Sequence, residues 1–136
     1  MTDNEKFSLW LEYAERDLDA AGVMFSSGRW FYVVFMCQQA VEKLVKGLYA
    51  VYVDDSVPRI HNIKTLMERF DDKLTVPVPE KYYKLFKLLS AYYVSDRYPD
   101  YISKVGEQIS KSEATDIFNQ TKEVFAWLLT LKPQNE

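Results

Sequence analysis

Apolar residues recur at three-, four- and seven-residue spacing through most of the chain, the signature of amphipathic helices. Phe7, Trp10, Leu11, Ala14, Leu18, Ala21 and Phe25 keep this spacing while Glu12, Glu15, Arg16 and Asp19 take the opposite side, which predicts a first helix over about residues 5–25. Thr2 with Glu5, or Asp3 alone, is placed to cap it. Ser26-Ser27-Gly28 predicts a tight link, so a second helix over about residues 29–52 should run back antiparallel. On that helix Val34, Val41, Val45, Leu48 and Tyr52 form an apolar stripe that also contains Gln38, which aims an amide at the core or at a partner. Gln39, Glu42, Lys43 and Lys46 form a second, polar face, with Glu42 and Lys46 in the favourable order for an ion pair.

Asp54 to Pro58 stops the second helix. Asn62 is placed to cap a short helix over about residues 63–70, and the prolines at 77 and 79 keep the next stretch extended. Tyr82, Leu85, Phe86, Leu89, Tyr92 and Tyr93 predict a fourth helix over about residues 80–93. An irregular stretch then runs to about residue 109, and Ser110 with Glu113 opens a last helix that ends near Leu131. The expected fold is all-α: an up-and-down bundle of four long helices and one short one, forming a single domain over residues 1–136.

Composition narrows the function. The net charge is −3, so there is no global pull toward DNA or an anionic membrane, and any phosphate site must be local. The longest apolar run, Trp30 to Cys37, is far short of the roughly 20 residues that span a bilayer. The start is polar and unlike a signal peptide, which together with a single cysteine points to a cytoplasmic protein with a buried, inert Cys37 thiol. One His, one Cys and four isolated glycines give no zinc spacing and no phosphate loop, so neither a metal nor a resident cofactor is expected.

The candidate ligand site is Lys43 and Lys46 on the second helix, His61 before the third, and Asp96, Arg97 and Tyr98 after the fourth. Arg suits bidentate phosphate recognition, Lys supplies point charge, and Tyr can stack on a base. The alternative is structural: Arg97 tying a loop to Asp96 or Asp100, surface lysines, and His61 as a loop anchor. Tyr82, Tyr92 and Tyr93 read as packing or a dimer interface, while Tyr98 and Tyr101, flanking Pro99, suit a ligand better.

Taken in order, Trp10, Ala14, Asp17-Leu18, then Gln38-Gln39-Ala40-Val41-Glu42-Lys43 with Lys46, then His61-Asn62-Ile63 with Leu66, then Arg97-Tyr98-Pro99-Asp100, the chain resembles the HEPN family. The resemblance implies a helical bundle, usually a homodimer, often encoded beside a minimal nucleotidyltransferase as a toxin-antitoxin or nucleotide-handling pair. It places the polar site on Lys43, Lys46, His61, Asp96, Arg97 and Tyr98, with Gln38, Gln39 and Glu42 supporting it or forming the dimer seam. The ligand it implies is a nucleotide or RNA. The family's ribonucleases carry an Arg followed after four to six residues by a His, and no Arg of this chain has one; Arg59 and His61 are separated by Ile60 alone. A binding role is therefore expected over a catalytic one. The alternatives are an RNA-cleaving toxin with a non-standard site near Arg97 and His61, or a pure interaction scaffold.

Overall fold

The computed structural model describes residues 1–93 and 108–132, and within them the ordered elements are helical. They are α1 (Asp3–Ser26), α2 (Trp30–Tyr52), α3 (Ile63–Glu68), a short 3-10 turn (Asp71–Lys73), α4 (Glu80–Ser90) and α5 (Lys111–Leu129).

Local chemistry sets most of the boundaries. Thr2 accepts from the Glu5 amide while the Glu5 carboxylate accepts from the Thr2 amide, a capping box that recurs at Ser110 and Glu113 on α5. Asn62 caps α3 through its side-chain oxygen, 3.0 Å from the Thr65 amide. At the end of α1, Gly28 adopts φ +73°, so its amide reaches the Phe25 carbonyl and the Arg29 amide reaches that of Met24. This left-handed glycine cap turns the chain tightly, and α2 packs back along α1 in the most extensive helix–helix interface of the described residues.

α2 is the hub. α1, α3, α4 and α5 all pack on it, and its residues Val33, Val34, Cys37, Val41, Leu44, Val45 and Leu48 are fully buried. The close approach of α1 depends on Gly47, where an added Cβ would lie 2.8 Å from the Trp10 Cβ. At the far end the Tyr52 hydroxyl donates to the Leu131 carbonyl at 2.6 Å, joining the ends of α2 and α5, and its ring stacks on Phe70.

Two expectations are corrected, and one element is added. α3 stops at Glu68 and not near residue 70, with Phe70 turned into the core beyond it. The Asp71–Lys73 turn has no periodic signature and was not expected. α4 ends at Ser90 and not near residue 93, so Tyr93 lies past the helix. No helix among the described residues is long and apolar enough to cross a membrane.

Candidate functional site

Gln38, Glu42 and Lys46 are spaced four apart on α2, so each lies about 40° further round the helix than the last. Gln38 sits within the apolar stripe and Glu42 at its edge, under α3 and the segment that leads into it. All three are buried, at 0%, 5% and 8% exposure. The polar face expected on α2 is therefore not a solvent surface over this length: its Glu42 and Lys46 are interior groups, with His61 lying against Glu42.

Burying these groups is tolerable only if their hydrogen bonds are made. The Glu42 carboxylate accepts from the Gln38 amide at 2.7 Å, the Lys46 ammonium at 2.9 Å and the His61 Nδ1 at 3.1 Å. Gln39 in turn donates to the Gln38 carbonyl at 2.6 Å. The Gln38 amide nitrogen also lies 3.4 Å from the His61 backbone carbonyl, so α2 holds this residue by both its side chain and its main chain.

His61 is the outlet of the network. Its side chain is 38% exposed while that of its carboxylate partner is 6% exposed. The Tyr93 ring stacks on the imidazole, with centroids 3.9 Å apart and planes 13° from parallel. Tyr93 is brought there by the packing of α3 on α4, reinforced where the Ser90 hydroxyl accepts from the Ile63 amide at 3.0 Å. Tyr93 thus serves the site as well as the packing expected of it.

Lys43 points the other way, to α1. Its ammonium contacts the Asp17 carboxylate at 2.5 Å and lies 5.9 Å from the centre of the Tyr13 ring. Of the six candidate ligand residues, His61 and Lys46 meet around Glu42, Lys43 stands one turn away on an ion pair of its own, and Asp96, Arg97 and Tyr98 lie outside the described residues, as does Tyr101.

Two residues were missing from the candidate set. Asp17 had a signal, since it lies three residues after Ala14 and four before Ala21, both fully buried, and so flanks the inward face of α1. Tyr93 had none, because its periodicity assigned it to the α4 stripe. Elsewhere Cys37 is fully buried and desolvation pushes its thiol up to about 11, as expected of an inert core thiol. Among the described residues no group of three His, Cys, Asp or Glu side chains is placed to hold a metal ion.

The family model for the HEPN domain matches residues 7–132. The chain belongs to the HEPN family. Two solved structures share its fold over nearly the whole length. TT1696 from Thermus thermophilus is 27% identical with a TM-score of 0.78, over 92% of this chain and 97% of that one. ST0689, described as an archaeal HEPN homologue, is 26% identical with a TM-score of 0.73, over 93% and 98%. A search of curated proteins returned no match. Within this HEPN bundle the Gln38–Glu42–His61 network joins two of the motifs that carried the sequence resemblance, the Gln-Gln-Ala-Val-Glu-Lys run and the His-Asn-Ile start of α3.

Proposed function

We propose that this HEPN protein is a non-catalytic, cytoplasmic binding module for a nucleotide or RNA, acting as a homodimer beside a minimal nucleotidyltransferase in a toxin-antitoxin type pair. The observation that carries the reading is the half-exposed His61, gripped by a buried carboxylate and stacked on Tyr93. Three polar groups desolvated to orient one imidazole are more than a loop anchor needs, since a single backbone hydrogen bond would hold it. The phosphate contact is assigned to Arg97, four residues after Tyr93 in the sequence, together with Asp96 and Tyr98, as the family resemblance implies. Lys43 and Lys46 each already hold a carboxylate, so they organise the site more than they draw in anions. The partner rests on the family resemblance of the sequence.

Native purification of the tagged protein from its host, with co-purifying proteins and small molecules identified by mass spectrometry, tests this reading. A stoichiometric nucleotidyltransferase, and light scattering at twice 16.0 kDa for the chain alone, are the expected results. Recovery of a nucleotide-free chain without a partner would overturn it. A second reading, RNA cleavage with His61 as the proton-transfer group, is favoured by the carboxylate–imidazole contact itself. Metal-independent cleavage of total RNA that His61→Ala abolishes would establish it in place of the first.

A further inference from the structure

We infer that His61 presents a fixed lone pair at Nε2, so that this part of the site takes a hydrogen-bond donor, a hydroxyl or amino group of the ligand, and not its phosphate. The inference deepens the nucleotide reading above and rests on it for the class of ligand. It follows from the direction of each hydrogen bond in the network. The Gln38 amide nitrogen faces two groups that can only accept, the Glu42 carboxylate at 2.7 Å and the His61 carbonyl at 3.4 Å, so the amide cannot be flipped. Its carbonyl oxygen correspondingly accepts from Gln39. One Glu42 oxygen takes the Gln38 donor and the other the Lys46 ammonium at 2.9 Å, an arrangement that suits an ionised carboxylate. Nδ1 of His61, 3.1 Å from that second oxygen, must then carry the proton. In a neutral imidazole with Nδ1 protonated, Nε2 is an acceptor, and among the described residues it has no hydrogen-bond partner.

Charge points the same way. Glu42 is offset by Lys46 and Asp17 by Lys43, so these groups sum to zero around a neutral His61 and give a phosphate no attraction. An anion would need the imidazole protonated. Among the described residues the other titratable group against His61 is Tyr93, a phenol stacked on its ring face, which adds no positive charge at any pH. A nucleotide in this site would therefore place its nucleoside end at His61, through a ribose hydroxyl or a base amino group.

The chain has one histidine, so its imidazole signals need no assignment. Long-range 1H–15N spectra of the full chain at about pH 8, above the ordinary imidazole range, should show Nδ1 protonated and Nε2 bare. The Glu42→Gln variant, checked for folding by circular dichroism, should show mixed tautomers; were it not to fold, the wild-type spectrum alone decides. A wild-type Nε2–H form, or an even mixture, would overturn the inference. AMP added at the same pH should move the Nε2 signal, and inorganic phosphate should not. IMP, which lacks the amino group, and 2′-deoxy-AMP, which lacks a hydroxyl, distinguish the two sources: loss of the group that meets Nε2 should weaken binding about five- to tenfold. AMP that binds by calorimetry without moving the imidazole would overturn the inference and leave the proposed function standing. If AMP does not bind at all, the nucleotide reading and the ligand half of this inference fall together, and the tautomer decides the rest.

Discussion

Replacing both members of the buried Glu42–Lys46 pair should cost far less than replacing either one. In Glu42→Leu the Lys46 ammonium, on a side chain only 10% exposed, keeps no carboxylate among the described residues, and His61 Nδ1 loses its acceptor. Stranding a buried charge in this way costs about 3–5 kcal/mol. Lys46→Met is milder, about 2–3 kcal/mol, because Glu42 keeps its Gln38 and His61 donors. The double variant removes both charges and fills the space with apolar atoms, leaving chiefly the His61 donor unmet, since Gln38 still reaches the His61 carbonyl; it should cost about 1–2 kcal/mol. The coupling is then at least about 3 kcal/mol, the difference between the summed single losses and the double one. Urea unfolding followed by helical circular dichroism measures all four proteins, with unchanged urea dependence as the check that the denatured states are comparable. Additive losses, or single losses below about 1 kcal/mol, would show that the pair is solvated and that the network does not hold His61.

Gly47→Ala should lose about 1–2 kcal/mol despite better helix propensity, because the new methyl meets the Trp10 Cβ near the α1 backbone, which cannot swing aside; a rise in melting temperature would contradict the close packing of α1 on α2. The Cys37 thiol, pushed up to about 11 by burial, should react with a thiol reagent only as fast as the chain opens, and rapid labelling under native conditions would count against it. Burial, and then the Asp71 carboxylate that accepts its hydrogen bond, raise the Tyr83 pKa above the ordinary 10.0. The native state thus favours the neutral phenol, a contribution fully present below pH 10.0 and lost as pH rises through the folded value. Tyr83→Phe should accordingly lower stability at neutral pH by about 1–2 kcal/mol and flatten its fall in alkali; an unchanged alkaline profile would argue against that bond.

Local signals in the sequence were sufficient for the helices and their starts. Thr2 with Glu5, Asn62, and Ser110 with Glu113 cap the elements that their spacing predicts, since a cap is a contact within four residues and needs no knowledge of the rest of the chain. Gln38 was equally legible, as an amide inside an apolar stripe. The burial of Glu42 and Lys46 was not. On the helix they lie beside polar Gln39 and Lys43, and the His61 that meets Glu42 arrives from 19 positions away. The end of α4 was not legible for a related reason: the spacing of Tyr92 and Tyr93 continues its stripe, while the helix stops at Ser90, whose hydroxyl accepts from the Ile63 amide in a tertiary contact with α3. Of the candidate residues, His61 and Lys46 come together around Glu42, whose burial emerged only from the packing, while Asp96, Arg97 and Tyr98 lie outside the described residues.

The most direct measurement of the central claim is calorimetric titration of AMP into the wild-type chain and into His61→Ala, with Tyr83→Phe as a control for altered stability. A site centred on His61 predicts binding to the wild type and to the control and at least about fivefold weaker binding to His61→Ala. Equal affinity for all three proteins would contradict it and return His61 to the role of a loop anchor.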